Sequence, residues 1–287
     1  MKTLKLSVLS ALFLLSFSLT FLQAQSLIFK YNLSDTEYQK AFDQYAPHYI
    51  PIDINVATVG KDNRFSVIFY KNSEGQPWQA RHNLTSEGFD TFDTGMQEYE
   101  LMPYTVSPYI NPQGELRYAA LWLKGWSTDY KISYSLSAKE GILPLASALT
   151  APQAEYGDYW MNSLAVYDMP NGGNQVAFVL QTYDSPAEKT SVRYDIDIDK
   201  ASQEFEKLRV QRYLPLNLSV YHKGNKTKVA ALMLKPETPS DFEVTAGLTP
   251  KELEVFSKNL EGKGFLPFLA KGYVDKGVLK YLVAWRK

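Results

Sequence analysis

The sequence contains no cysteine, and its 287 residues include only three histidines. Without a thiol, the chain cannot form disulfides, thiolate metal sites, a catalytic cysteine or a cysteine-linked lipid anchor. A chain of this size can nevertheless fold on its hydrophobic core alone. His48, His82 and His222 form no His-x-His or His-x-x-x-His pair. We therefore expect each of them to be a lone surface side chain rather than a metal ligand or general base.

An excess of charge of either sign is also missing, because 30 basic side chains face 31 acidic ones. Proteins that bind nucleic acid need a basic footprint on their surface. The composition therefore predicts no nucleic-acid partner.

The common catalytic motifs are missing as well: the sequence has no Gly-x-Ser-x-Gly and no phosphate-cradling glycine loop. Its best acidic cluster is Asp195, Asp197 and Asp199, but Lys200 stands where a calcium loop needs glycine. The sequence thus predicts no metal, no cofactor and no catalytic residue. A pair of carboxylates that acts on a glycoside stays open, because spatial partners are invisible in one sequence.

The first 24 residues have the pattern of a signal peptide. Lys2 and Lys5 precede an apolar run, and the small residue Ala24 stands at the expected cleavage position. A membrane anchor is the alternative, but the polar exit and the lack of a basic stop-transfer cluster favour cleavage. The mature chain, 25–287, would carry 28 basic and 31 acidic side chains, and we expect it in the periplasm or outside the cell without a transmembrane anchor.

One pattern recurs five times along the mature chain. An apolar residue precedes a Ser, Thr or Asp that can cap a helix, and the spacings are 51, 52, 60 and 52 residues. These apolar residues are Leu33, Leu84, Leu136, Ile196 and Leu248. Apolar side chains then follow at helical spacing, as on a helix that covers a core on one side. Capping boxes are predicted at Ser34/Glu37, Ser137/Glu140 and Thr249/Glu252, and Asp197 is predicted to cap the fourth helix.

A hairpin follows each predicted helix, and its first strand carries Pro51, Pro103, Pro215 or Pro267, with Met161 in the third copy. Proline favours a strand start or a sheet edge. The second strand is apolar at almost every position, as in "KVAALMLK", which is typical of a central strand. With the strand before each cap, the unit is β-α-β-β. We predict an α+β fold in one domain, with repeats at about 27–75, 76–127, 128–188, 189–239 and 240–287 and the helices on one face of the sheets.

Two stretches carry a family resemblance: "GFLPFLAKGYVDKGVLKYLVAW" and "ELMPYTVSPYINPQGELRYAALW". They resemble the bacterial tandem repeat domain family, which forms the N-terminal part of secreted polyglycine hydrolases. There the repeats are joined to a β-lactamase-like serine hydrolase domain with a Ser-x-x-Lys motif, and this sequence contains no Ser-x-x-Lys. The resemblance implies the repeat fold and export without the hydrolase activity. Five such units also resemble the five-bladed α/β propellers, which implies a curved or closed array.

Aromatic side chains near turns and insertions are the remaining candidates for a ligand surface, because Tyr and Trp offer a rigid face and one polar group. The third copy is about eight residues longer than the others, and its insertion is either a tolerated surface loop or a binding loop. The candidate ligand-binding residues are Trp78, Tyr109, Trp126, Tyr156, Tyr159, Trp160 and Tyr221.

Three functions fit these observations. The favoured one is an exported, non-catalytic module that binds a glycan, peptide or protein of the cell envelope or extracellular space. The alternative is a secreted peptidase or esterase with an unrecognised active site near the third-copy insertion. The third is a stand-alone module that assists a separately encoded hydrolase.

Overall fold

The computed structural model describes residues 27–125, 129–137, 159–182, 189–236 and 241–287. This part of the chain is mostly β, with fifteen strands in five three-stranded antiparallel sheets and four α-helices. The described residues are richer in β-strand than the term α+β suggests. The reason is the repeat itself, because each β-α-β-β unit supplies three strands for one helix. The helix predicted for the third copy lies outside the described residues.

Each sheet is made by one repeat, with the third strand of the repeat in the centre. The outer strands are Leu27–Leu33 (β1), Trp78–Leu84 (β4), Tyr130–Ser137 (β7), Lys189–Asp197 (β10) and Phe242–Leu248 (β13). The strands on the opposite edge, here called inner strands, are Tyr49–Val59 (β2), Leu101–Ile110 (β5), Tyr159–Asp168 (β8), Leu214–Lys223 (β11) and Leu266–Asp275 (β14). The central strands are Asp62–Lys71 (β3), Leu116–Lys124 (β6), Asn174–Thr182 (β9), Lys226–Lys235 (β12) and Val278–Arg286 (β15).

The four described helices follow the outer strands of their repeats: Asp35–Tyr45 (α1), Ser86–Gln97 (α2), Ala201–Val210 (α3) and Pro250–Gly262 (α4). Ser34 and Thr249 form the predicted capping boxes, and the Thr85 hydroxyl accepts from the Gly88 backbone N–H at 3.0 Å. The prediction that Asp197 caps the fourth helix is wrong. A 3₁₀ turn, Ile198–Lys200, precedes α3, and the Asp197 carboxylate instead accepts from Lys228 Nζ at 2.7 Å.

The five anchor residues of the repeat occupy equivalent places. Each pairs with the same position of its central strand: Leu33 with Phe65, Leu84 with Tyr118, Leu136 with Val176, Ile196 with Val229, and Leu248 with Tyr281. The register shifts just before each anchor. Four residues at this shift have positive φ, a conformation that Asn, Asp and Gly adopt most readily; they are Asn32, Asn83, Asp195 and Gly247.

The prolines of the inner strands lie on sheet edges, as predicted. A β-bulge follows each of Pro51, Pro103, Pro215 and Pro267. Since proline has no N–H to give to a ladder, an edge strand tolerates it where a central strand would not.

The central strands are buried on both faces. In β3, Phe65 and Phe69 pack with α1 of the same repeat, whereas Ile68 packs with Leu253 and Trp285 of the last repeat. In β6, Trp122 packs with α2, and the neighbouring Leu121 belongs to the core of the first repeat. Alternate residues of one strand therefore serve two cores, which makes each unit depend on its neighbours.

Candidate functional site

Polar side chains on the inner strands link each sheet to the next. The Ser107 hydroxyl donates to Ile54 O at 2.6 Å, and the Ser163 hydroxyl accepts from Val106 N–H at 3.3 Å. Ser219 both accepts from Val166 N–H at 2.8 Å and donates to Val166 O at 3.2 Å. Buried backbone N–H and C=O groups need hydrogen-bond partners. Between these sheets, serine hydroxyls provide the hydrogen bonds that a neighbouring strand would otherwise make.

The last sheet contacts the first through a different set of groups, which we call the seam. Lys271 of β14 forms an ion pair with Asp53 of β2, and their side chains are only 5% and 3% exposed. The second oxygen of Asp53 accepts from Ala270 N–H at 2.7 Å. Asn55 Oδ1 accepts from Gly272 N–H, also at 2.7 Å. Both carboxylate oxygens of Asp53 are therefore hydrogen bonded in the seam, which buries two opposite charges.

His222 joins three consecutive repeats. Its Nδ1 lies 2.6 Å from Asp168 Oδ2 in the third repeat, and its Nε2 lies 3.0 Å from Val274 O in the fifth. The hydrogen bond with Asp168 raises the pKa of His222. The expectation that His222 is a lone surface side chain is wrong, because both ring nitrogens are engaged. His82 is likewise not a free surface group, since it packs against Tyr38 and Phe65, and burial lowers its pKa.

An open groove lies between α3 of the fourth repeat and β13 of the fifth, and we call it the α3–β13 groove. Its volume is about 560 Å³, within the range of ligand sites. The helix contributes Ser202, Phe205, Glu206 and Arg209; the strand side contributes Asp241, Phe242, Glu243, Val244 and Thr245; Phe256 and Phe265 complete the lining.

The equivalent groove between α1 and β4 is much smaller, at about 150 Å³. There the ring of Tyr38 stacks on Phe65 at 4.4 Å, with His82 against both. Counted from the anchor residues, the places of Tyr38 and His82 are taken by Ala201 and Ala246. Phe65, the strand partner of its anchor, corresponds to Val229. Three large rings beside the smaller groove thus correspond to three small side chains beside the larger one.

The space between α2 and β7 is filled by a polar cluster instead. Asp93 accepts from Trp122 Nε1 at 2.7 Å and from the Tyr130 hydroxyl at 2.8 Å. Gln97 Nε2 in turn donates to the Tyr130 oxygen at 2.7 Å. Burial, followed by the bond to Asp93, raises the pKa of Tyr130.

The charges along the α3–β13 groove are predominantly negative. Arg209 donates to Glu206 at 2.7 and 2.8 Å and to Asp241 at 2.8 Å, so its guanidinium is already engaged on two sides. The bond from Arg209 lowers the pKa of Glu206. Glu243 adds a third carboxylate on an exposed position of β13. Three carboxylates against one guanidinium favour a cationic ligand.

Among the aromatic residues predicted to bind a ligand, the three whose side chains the structure describes, Trp78, Tyr109 and Tyr221, do not line this groove. Tyr109 and Tyr221 were expected to be exposed, but they are only 5% and 3% exposed. Tyr109 belongs to the core with Phe65, and the Tyr221 hydroxyl donates to Asp195 Oδ1 at 2.8 Å. Trp78 is half-buried, with its ring 5.9 Å from that of Phe42.

Of the remaining aromatic predictions, Trp126 lies at the end of the second repeat, and Tyr156, Tyr159 and Trp160 belong to the third-copy insertion. Tyr159 and Trp160 lie on β8, opposite Thr182 and Gln181. Trp126 and Tyr156 lie outside the described residues. The sequence difference between the two grooves is that Ala201 and Ala246 stand where Tyr38 and His82 stand in the first and second repeats.

The described ranges, 27–125, 129–137, 159–182, 189–236 and 241–287, contain neither a metal-site cluster nor a membrane-spanning helix. Within them, no group of three or more His, Cys, Asp or Glu side chains is placed to hold a metal ion. Asp195 and Asp197 instead pair with Lys223 and Lys228. Across these same ranges, no helix has the length and apolar character needed to cross a membrane.

The repeated sheets, helices and cross-repeat bonds define a tandem-repeat protein. The family described as "Polyglycine hydrolase-like, structural repeat" matches three segments, 26–72, 75–125 and 189–236, which together cover half of the chain. The chain belongs to this family, in agreement with the resemblance read from its sequence. No curated protein matches the chain significantly.

Proposed function

We propose that this chain is an exported, non-catalytic repeat module that binds a polymer or protein of the cell envelope or extracellular space. The observation that carries the proposal is the α3–β13 groove, an open, mostly acidic site that is larger than the α1–β4 groove, whereas a polar cluster fills the space between α2 and β7. The apolar N-terminal segment with Ala24 at its end supports export to the periplasm or beyond.

We further propose that the five sheets close into a propeller-like ring with the helices on one face of each sheet. Successive inner strands contact one another, and β14 contacts β2 in the same way. The core of the last repeat includes Ile68 and Ala57 of the first, which supports the closure. A closed array leaves no terminal repeat with an uncovered apolar face.

Closure can be tested with one engineered disulfide, because the chain has no other thiol. A Cβ built on Gly272 would lie 3.5 Å from the Cβ of Ala57, at the near end of the disulfide range of about 3.5–4.5 Å. We expect Ala57→Cys/Gly272→Cys to form an intramolecular disulfide under mild oxidation, seen as faster migration on a non-reducing gel. The two single variants can form only intermolecular dimers. Free thiols in the folded, oxidised double variant would contradict closure.

Binding is tested with the mature chain, 25–287, against purified peptidoglycan, a glycan array and isolated surface proteins. We expect saturable binding to one of these polymers that the groove-filling variant Thr245→Trp abolishes. Absence of binding to every polymer would overturn the proposal. Turnover on a panel of peptide, ester and glycoside substrates, lost on one point substitution, would indicate a hydrolase instead.

A further inference from the structure

The fifth repeat has no cation at a place where three other repeats carry one. This place lies three residues before the anchor residue, and its partner on the central strand lies two residues after the partner of the anchor. Lys30, Arg81 and Arg193 hold it in the first, second and fourth repeats. Thr245 holds it in the fifth. The four residues are therefore equivalent in strand pairing as well as in sequence spacing.

Each of the three cations lies over an aromatic ring of its own repeat. The distances from the cation to the ring centre are 5.7 Å for Lys30 over Tyr45, 4.8 Å for Arg81 over Phe92 and 5.7 Å for Arg193 over Tyr213. At such distances, the negative face of the ring attracts the positive charge. The repeat therefore holds a cation against a ring at this place.

The fifth repeat keeps the ring but not the cation. Phe256 on α4 stands eight residues after its anchor, as Phe92 on α2 does. Each ring packs near the tryptophan of its own central strand. The Phe92 ring lies 4.9 Å from that of Trp122, and the Phe256 ring lies 6.1 Å from that of Trp285. Thr245 has no charge to place over Phe256, and both residues line the α3–β13 groove.

The open side of the groove carries carboxylates that suit a cation. Phe242 and Val244 point into the buried core beneath α3, so the alternate residues Glu243 and Thr245 point the other way. Glu243 is exposed and lines the groove together with Phe256. The two carboxylates that accept from the groove's arginine add further negative charge nearby. A cation that enters beside Phe256 would thus meet both a ring and a carboxylate.

We propose that the α3–β13 groove binds the guanidinium group of an arginine side chain on a partner protein, stacked on the Phe256 ring and paired with Glu243. This inference deepens the proposed function and rests on it, because it names the chemistry by which the partner is recognised. A guanidinium suits the groove better than an ammonium, since it is planar, stacks on aromatic faces and can bind a carboxylate through two N–H groups.

The probe is N-acetyl-arginine methylamide, titrated into the isotope-labelled mature chain and followed by NMR. We expect saturable shifts of the Glu243 and Thr245 amide signals, and upfield shifts of the ligand's side-chain protons from the Phe256 ring. The matched analogue of citrulline has a neutral urea in place of the guanidinium and should give no saturable shifts. Equal responses to the two compounds would overturn the proposal.

Two variants and one matched control locate the ring. Thr245→Arg should abolish binding, because the chain's own guanidinium then covers Phe256 as Arg81 covers Phe92. Thr245→Ser is its control and should bind like the native chain. Phe256→Leu keeps an apolar side chain without the ring and should weaken binding about fivefold or more. Circular dichroism and thermal unfolding confirm that each variant is folded. Unchanged binding in Thr245→Arg would contradict a site over Phe256.

A further pair of variants tests the carboxylate. Glu243→Gln should weaken binding about threefold. Asp43 is an exposed carboxylate on α1 and holds the place of Glu206 beside the smaller groove, so Asp43→Asn removes the same charge elsewhere and should leave affinity unchanged. Equal losses in the two variants would indicate general charge attraction and overturn the pairing with Glu243.

The outcomes also separate this inference from the wider proposed function. Binding of the arginine compound without any envelope binding would support the guanidinium site and refute the envelope module. Envelope binding that survives in Thr245→Arg, together with no binding of the arginine compound, would refute the guanidinium site alone.

Discussion

Two contacts between sheets satisfy buried polar groups in different ways. One is the seam between the last and first sheets, and the other is the junction between the third and fourth sheets. At the internal junction, Ser219 meets the Val166 backbone, 53 residues away, with neutral groups. At the seam, Lys271 meets Asp53, 218 residues away, with buried charges. The third and fourth sheets follow one another along the chain, whereas the first and last sheets meet only through non-covalent contacts. The seam, which no short linker connects, thus uses a buried ion pair, and we expect its loss to lower the free energy of unfolding more than the loss of the Ser219 hydrogen bonds.

The largest expected effect comes from breaking the seam. Lys271→Met leaves Asp53 charged and buried without its partner, and we expect the free energy of unfolding to fall by about 3–5 kcal/mol. Urea unfolding measures this change. Asp53→Asn/Lys271→Met should recover most of the loss, because both charges are removed and the amide oxygen can still accept from Ala270 N–H.

A matched control for the seam lies in the same sheet. Lys280 pairs with Asp275 at 2.7 Å, but both side chains are more than a quarter exposed. Lys280→Met should therefore cost less than about 1 kcal/mol. If Lys271→Met costs no more than Lys280→Met, the seam does not depend on its buried charge.

A smaller effect is expected at the internal junction. Ser219→Ala removes the acceptor of Val166 N–H inside a buried interface, which should cost about 1–3 kcal/mol. Ser257 of α4 is the control, because its hydroxyl is also buried but has no hydrogen-bond partner among the described residues. Chemical unfolding should show Ser257→Ala to be neutral or stabilising. Equal losses in the two variants would mean that the Ser219 hydrogen bonds contribute nothing.

The smallest expected effect is the pH dependence of stability at His222, which contacts Asp168 across the junction between the third and fourth sheets. The folded pKa of His222 is raised by Asp168, with Asp275 also nearby, so protonation favours the folded state. This contribution is complete below the ordinary pKa of about 6.5 and is lost as pH rises through the folded value. Since the side chain is 41% exposed, it should stay below about 1 kcal/mol.

The measurement for His222 is the difference in unfolding free energy between the native chain and His222→Gln, taken from about pH 6 to pH 8. We expect the advantage of the native chain to shrink as pH rises. His48→Gln is the control, because His48 is exposed. A constant difference across this range would show that His222 does not titrate with folding.

The repeat architecture could be predicted from the sequence because local chemistry fixes it. Ser34 and Thr249 cap helices through contacts three residues away, and runs such as "KVAALMLK" need a position covered on both faces. Asn32, Asn83 and Gly247 also carry information about the fold. Each has positive φ just before an anchor residue, so Asn or Gly at this place predicts the irregularity in the outer strand. The prediction that Asp197 caps a helix is wrong because its carboxylate accepts a hydrogen bond from Lys228, 31 residues away.

The difference in volume between the two grooves was harder to predict because it concerns residues that correspond only when two repeats are compared. Ala201 and Ala246 are unremarkable in sequence until they are compared with Tyr38 and His82 in the first and second repeats. The burial of Tyr109 and Tyr221 was missed for a related reason. Both lie near the turn end of a hairpin, but the neighbouring repeats cover them.

In the proposed ring, the Asp53–Lys271 pair also limits how such a chain can evolve. The places of Asp53 in the other inner strands are held by Thr105, Ser163, Asn217 and Leu269, none of them charged. A duplication or deletion of one internal unit would change the curvature needed to bring these two charges together. Asp53 or Lys271 would then be buried without its partner, which disfavours folding. This one ion pair would therefore select against chains with four or six repeats.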